Sequence, residues 1–359
     1  MQALLGYPRA VWEAWAGALA GVVTGGEPVV PRAALCPTAR DVVFRDGTAA
    51  VYRFRRPEGA PLRRGVPLLL VPSMINRWYV LDLRRGSSVV EALTAAGIDT
   101  YLLDWGVCRD EDRYLTWDLV LERLARCARR VCRDAGAPRV GVLGYCMGAT
   151  LAAIHAALHP ERVACLVNLA GPIDFSQAGV LGELVDPRWF DARAVARAGN
   201  VAPSQMQQGF TALRPTLNLS KLVGLLDRGP TREAWEAFDA LETWGSDNVP
   251  FPAAAYETYI TELYQQNLLA RGEHRVGGRR VDLKALTMPV LTLGATRDTI
   301  CPLPAAEALV ALSGSRDTAS LRVPGGHVGA VVGSRAAREL YPALVSWLGP
   351  RLDAASSGA

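Results

Sequence analysis

Short continuous apolar runs alternate with helix-length segments along most of this chain, and that alternation restricts the folds open to it. Residues 67–71, 98–103, 139–143 and 163–169 read as buried parallel strands, because both faces of each run are apolar. Between them, residues 87–96, 117–135 and 147–158 have the length and periodicity of helices. Strand–helix–strand repetition predicts the α/β class, with a doubly wound, mostly parallel sheet. The rhythm lapses over residues 172–278, which read as helix and loop without a convincing buried strand. It resumes with a strand at 289–293, a helix at 304–313, a strand at 319–323 and a closing helix at 336–348.

The expected organisation is therefore one α/β core interrupted by a helical cap. Its first part spans 1–171, with an N-terminal helix at 7–24 and a hairpin at 41–55 turning on Asp46-Gly47. The cap spans 172–278, the second part of the core 279–350, and a frayed tail 351–359. Within the cap, residues 203–215 and 244–252 read as loops able to order over a site.

Composition narrows the function classes. Of 359 residues, 50% are hydrophobic and 21% charged, which supports a large core and excludes global disorder. The net charge of +4 is small, and no basic stripe argues for nucleic acid. All but two of the 39 basic residues are arginine, the exceptions being Lys221 and Lys284. No secretory pattern opens the sequence, and Glu13 interrupts the one early apolar stretch, so neither export nor a membrane span is expected. A cytoplasmic location follows as the expectation. There the seven cysteines stay reduced, each a small buried hydrophobe or a reactive thiol.

One of the seven is placed for chemistry. Gly144-Tyr145-Cys146-Met147-Gly148 lies between a predicted strand and a predicted helix, which is the nucleophile elbow of the α/β-hydrolase fold with Cys in place of Ser. Gly144 and Gly148 remove side chains that would collide in so tight a turn. The following helix points its positive end at the thiol, and the Met147 N–H becomes an oxyanion donor. A second donor belongs on the loop Val71-Pro72-Ser73-Met74-Ile75-Asn76-Arg77, at Ile75 with Met74 as the neighbouring possibility. Cys36, Cys108, Cys127, Cys132, Cys165 and Cys301 read as structural.

The partners of Cys146 follow in the chain order nucleophile, acid, histidine. Asp298 follows the strand at 289–293, and His327 follows the strand at 319–323. The other three histidines have blander readings. His155 and His159 share a helix face without a third ligand in view, so packing and a helix-dipole contact for His159 are expected. His274, in an Arg/Gly-rich loop, reads as solvated. Cysteine in place of serine suits exchange with a thioester, since a thiolate trades acyl groups with a thiol ester at nearly balanced energy.

Several runs beyond the elbow carry a resemblance. They are Asn76-Arg77-Trp78-Tyr79-Val80-Leu81-Asp82-Leu83, Asp104-Trp105-Gly106, Leu263-Tyr264-Gln265-Gln266-Asn267, Val281-Asp282-Leu283-Lys284 and Gly326-His327. Together with Gly144-Tyr-Cys146-Met-Gly148 they are similar to the poly(3-hydroxyalkanoate) synthases. The resemblance implies an acyltransferase that takes (R)-3-hydroxyacyl-CoA, releases CoA and extends a polyester held on Cys146. His327 is then the activating base, and Asp298 assists the substrate 3-hydroxyl as well as orienting the histidine. No metal or resident cofactor is implied.

The short stretch before residue 67 is similar to the small catalytic subunits that work with a second subunit, PhaE-like or PhaR-like. The implied setting is a homodimer or hetero-oligomer at the surface of a polyester granule. Arg77 is a candidate contact for CoA phosphates. Three positions depart from the family pattern: Ala149 where a third glycine is usual, and Thr299 and Cys301 in the acid loop. Rival readings are a Cys-type hydrolase of the dienelactone-hydrolase kind, an intracellular polyester depolymerase, and a non-catalytic granule subunit.

Overall fold

The apolar runs become the strands of one sheet. In a computed structural model, residues 33–61, 63, 65–213 and 231–357 are described. The helix expected at 7–24 lies outside them. β1 (Arg40–Asp46) and β2 (Ala49–Phe54) form the expected hairpin, with Gly47 at φ 61° in the connection. β3 (Leu68–Val71) is buried at every residue, as a central parallel strand must be. β4 (Asp82–Arg84) and β5 (Ser87–Ser88) make a small separate pair. β6 (Thr100–Asp104), β7 (Val140–Tyr145) and β8 (Val163–Leu169) continue the core. β9 (Arg275–Val276) and β10 (Arg279–Arg280) form a short ribbon, and β11 (Val290–Ala295) and β12 (Thr318–Val323) complete the sheet.

The eight-stranded order is β1-β2-β6-β3-β7-β8-β11-β12. The hairpin joins antiparallel, and every pair from β6 to β12 is parallel. β7 therefore sits near the middle, flanked by β3 and β8. The helices Trp117–Ala135 and Met147–Leu158 both pack on the face that carries Val140 and Val142, and the helices Val89–Ala95 and Tyr341–Ser357 pack on the face that carries Leu143 and Tyr145. Every residue of the helix Met147–Leu158 is buried, so it packs on all sides and has no polar stripe. Trp117 is 1% exposed, and burying a side chain of that size stabilises the fold by several kcal/mol, about 25 cal/mol per Å² of apolar surface.

The segment between β8 and β11 is helical, as expected, and among its described residues extended pairing is limited to short pieces. It contains the helices Val180–Leu184, Ala192–Arg197, Pro203–Leu213, Arg232–Ser246 and Ala253–Thr258. The last winds directly into a π-helical turn, Tyr259–Gln265. The stretch at 203–215 is thus helix to Leu213, against the loop expectation, and 214–215 lie outside the described residues. Of the stretch at 244–252, residues 244–246 end the helix Arg232–Ser246, against the loop expectation, and 247–252 lie outside any helix.

The tail corrects a second expectation. A helix, Tyr341–Ser357, runs through the residues expected to fray. Asp353 is held by Arg63 at 3.1 Å, and Leu352 and Ala355 are buried. The Leu352 carbonyl also accepts from Val66 N–H at 3.1 Å. The small polar composition of 353–357 hid the fact that this turn packs beside the start of β3.

Candidate active site

The elbow forms where β7 ends. Cys146 precedes the helix at φ 56°, ψ −132°, a conformation that costs a non-glycine residue about 1–3 kcal/mol. Surrounding contacts hold it there. Its N–H donates to Leu169 O at 3.0 Å, and its carbonyl accepts from Ala149 N–H at 2.9 Å. A Cβ on Gly144 would lie 2.2 Å from Ala149 Cα, and one on Gly148 would lie 2.0 Å from the Val71 carbonyl oxygen. Both glycines are there to permit close backbone approach. The departure at Ala149 has its compensation opposite: a Cβ on Gly171 would fall 2.3 Å from Ala149 Cβ. The extra methyl is accommodated by a glycine on the neighbouring loop.

Asp298 and His327 arrive from the ends of β11 and β12. Asp298 Oδ1 accepts from the N–H groups of Ile300 and Cys301 at 2.8 and 2.9 Å. Its Oδ2 accepts from His327 Nδ1–H at 2.7 Å. A carboxylate only accepts, so it sets the imidazole tautomer and leaves Nε2 for the thiol. That Nε2 is buried, and the Cys146 sulfur acts on the same ring. Burial alone would lower the pKa of the ring. The Cys146 sulfur and the Asp298 carboxylate outweigh burial and raise it to about 10. The Tyr145 ring stacks on the imidazole, 5.3 Å between centroids at 27°.

His327 bonds Asp298, and Cys146 acts on the same imidazole, in the chain order nucleophile, acid, histidine that the sequence reading expected. Met147 is the first residue of the helix after the elbow, so its N–H belongs to the set without an intrahelical acceptor. Ile75 is 7% exposed and Met74 2%. Among the described residues the Ile75 N–H has only a long contact, 3.4 Å, to Ser73 Oγ. The loop that carries it lies on the elbow, because the Val71 and Pro72 carbonyls abut Gly148.

Other residues singled out in the sequence lie as follows. Arg77 Nε is buried 3.6 Å from Asp247 Oδ2, and the Arg77 carbonyl accepts from Trp244 Nε1–H. His274 is not solvated. Its side chain is fully buried, and Nδ1 lies 2.9 Å from Glu262 Oε2 on the π-helical turn. His155 and His159 pack ring to ring at 5.0 Å. Burial first, then His159 and nearby arginines, push His155 down to about 3. Burial likewise lowers His159, so it is neutral at pH 7 and is no cationic partner for the helix dipole. Among the described residues no group of three His, Cys, Asp or Glu is set to hold a metal. All seven cysteines are free, and burial pushes the thiols of Cys36, Cys108, Cys127, Cys132, Cys165 and Cys301 up.

The conspicuous runs outside the elbow are scaffolding for the loops around it. Asp82, fully buried, accepts from Ser88 Oγ and from both Thr38 N–H and Oγ1–H. Asp104 accepts from Tyr52 and Gly106, and Trp105 Nε1–H donates to Pro72 O at 2.9 Å. In the cap, Asn267 at φ 52° accepts from Phe175 N–H and donates to Asp174. Gln265 Nε2 donates to the carbonyls of Val185 and Phe190. These latches had no role readable from sequence, although the run from Leu263 to Asn267 stood out.

A strained cysteine elbow, a buried His–Asp pair and a mostly parallel sheet define the α/β-hydrolase fold with a cysteine at its elbow. The family model for the alpha/beta hydrolase fold matches residues 66–333. A putative lipase from Sulfolobus solfataricus superposes with a TM-score of 0.56 at 13% identity, covering 87% of this chain and 99% of that one, a likeness of fold alone. The particular family is shown by curated relatives. The chain is 34% identical to the poly(3-hydroxyalkanoate) polymerase subunit PhaC of Allochromatium vinosum, over 87% of this chain and 88% of that one. It is 32% identical to the subunit of the same name from Synechocystis, over 88% and 85%. The chain belongs to the poly(3-hydroxyalkanoate) polymerase PhaC family.

Proposed function

We propose that Cys146, His327 and Asp298 carry out polyester synthesis from (R)-3-hydroxyacyl-CoA, with short-chain units such as 3-hydroxybutyryl-CoA as substrate. The enzyme is a polyhydroxyalkanoate synthase catalytic subunit, an acyltransferase. The observation that carries the residue assignment is the buried His327–Asp298 bond beside the strained Cys146.

His327 Nε2 takes the Cys146 proton, and the sulfur attacks the thioester carbonyl. Negative charge passes to the carbonyl oxygen, where the N–H groups of Met147 and Ile75 receive it. Collapse expels the CoA thiolate, which takes the proton from His327 and leaves as CoA–SH. Cys146 then holds the acyl group as a thioester. In the extending step His327 accepts the proton of a 3-hydroxyl, and that oxygen attacks an acyl thioester to form the ester bond. A sulfur leaving group takes the proton back. Both Asp298 oxygens are committed, one to backbone N–H groups and one to His327, so its help to the 3-hydroxyl passes through the imidazole.

The scheme requires no resident cofactor, since CoA is a leaving group of the substrate. A second synthase subunit and a granule surface complete the proposed setting. Among the described residues no helix is long and apolar enough to cross a membrane. Incubation with 3-hydroxybutyryl-CoA tests the reading: CoA with insoluble polymer is expected, whereas free 3-hydroxybutyrate without polymer would replace it with a hydrolase.

A further inference from the structure

The loop after β3 is held from two sides, and only one side belongs to the core. From the core, Trp105 pins the Pro72 carbonyl and Gly148 abuts Val71 and Pro72. From the cap, the end of the helix Arg232–Ser246 and the residues after it bind the same loop farther along. Trp244 Nε1–H donates to Arg77 O at 2.9 Å, and Val249 N–H donates to Ile75 O at 3.2 Å. Asn76 Nδ2–H donates to Asn248 Oδ1 at 2.5 Å. The Tyr79 hydroxyl donates to Asp247 Oδ2 at 2.9 Å, beside Arg77.

Asn248 is fully used. Its Nδ2 donates to Gly245 O and Gln207 Oε1, both at 3.0 Å, while its oxygen holds Asn76. The bonds fall on both sides of the backbone at Ile75 and fix its carbonyl and its neighbour. Among the described residues the Ile75 N–H itself has only its long contact to Ser73. A donor so weakly satisfied is open to an incoming oxyanion, provided the loop is held still.

We propose that Trp244, Asp247 and Asn248 are positioning residues: docking of this cap segment seats the Ile75 N–H for the oxyanion formed at Cys146. The inference rests on Cys146 being acylated by a thioester, and it makes cap docking a condition of that step. When sulfur adds to the carbonyl carbon, the C=O π pair moves to oxygen and needs both donors. Alkylation of the same thiol by iodoacetamide forms the S–C bond, expels iodide and develops no oxyanion. The clasp should matter to the first reaction and not to the second.

Full-length Asn248→Ala and Trp244→Phe variants test this with two readings. First-turnover CoA release from 3-hydroxybutyryl-CoA should slow about 10- to 100-fold, as expected for a donor misplaced by an ångström or less. Cys146 alkylation by iodoacetamide should stay within about twofold of wild type, and KM should change little. Acylation at the wild-type rate in a folded variant would overturn the proposal. So would equal slowing of acylation and alkylation, which marks a general loosening. If Asn248→Ala fails to fold, Trp244→Phe, which keeps the apolar bulk, decides by the same readings. A wild-type enzyme that is alkylated yet releases no CoA would count against the proposed function instead.

Discussion

Cys146 and Asn267 both adopt positive φ, at 56° and 52°, yet the core and the cap hold them by different means. Cys146 is fixed by what cannot fit: strands on both sides, two glycines with carbonyls or backbone carbon where a Cβ would lie, and a helix buried on every face. Asn267 is fixed by what it bonds, the Phe175 N–H and the Asp174 carboxylate. Gln265, His274 and Asn248 repeat that pattern across the cap. Packing in the core has no alternative arrangement close by, whereas side-chain hydrogen bonds contribute about 0.5–1.5 kcal/mol each and can be exchanged. Cys146 sits on the first kind of support, and the helical segment between β8 and β11 rests on the second.

Substitutions should separate the two regions, with the core showing the larger losses. Cys146→Ala should lower CoA release by about 10⁶-fold while the thermal unfolding curve stays near wild type, since the backbone turn is retained. Asp298→Asn should lower it by about 10⁴-fold, because an amide can present its N–H to His327 and select the wrong tautomer. Gly148→Ala should cost about 1–3 kcal/mol in denaturant unfolding, the added methyl meeting the Val71 and Pro72 carbonyls. Asn267→Ala should instead raise the rate of proteolysis in the cap, with a loss of about 1–2 kcal/mol for two hydrogen bonds.

A separate test is the pH dependence of stability. His327 is raised from 6.5 to about 10 in the folded state. A raised pKa stabilises the fold fully below the unfolded value, and that contribution is lost as pH climbs through about 10. Unfolding free energy should therefore decline over this alkaline range in wild type, with a flatter profile for Asp298→Asn. An unchanged slope in that variant would remove His327 as its origin.

The same division explains what sequence could convey. The buried strands and the helices Trp117–Ala135 and Met147–Leu158 were legible because continuous apolar runs and helical periodicity are local signals. Cys146, Asp298 and His327 were legible because each follows a strand end. The helical character of the segment between β8 and β11 was legible too, but its internal contacts were not, since they depend on pairs such as Gln265 with Val185 and Asn248 with Asn76, which no local pattern announces. His274 illustrates the cost: arginines and glycines around it suggested solvent, but Glu262 meets it from the π-helical turn. The closing helix was cut short for a related reason, as its last turn is ordered by Arg63 and Val66 far away in the chain.

The central claim, that one strained thiol among seven carries the acyl chain, is open to direct reading by mass spectrometry. Enzyme quenched in acid after brief exposure to 3-hydroxybutyryl-CoA should carry whole hydroxybutyryl units as a thioester on the peptide containing Cys146. An adduct on another cysteine, or CoA release and polymer formation undiminished in Cys146→Ala, would contradict the account.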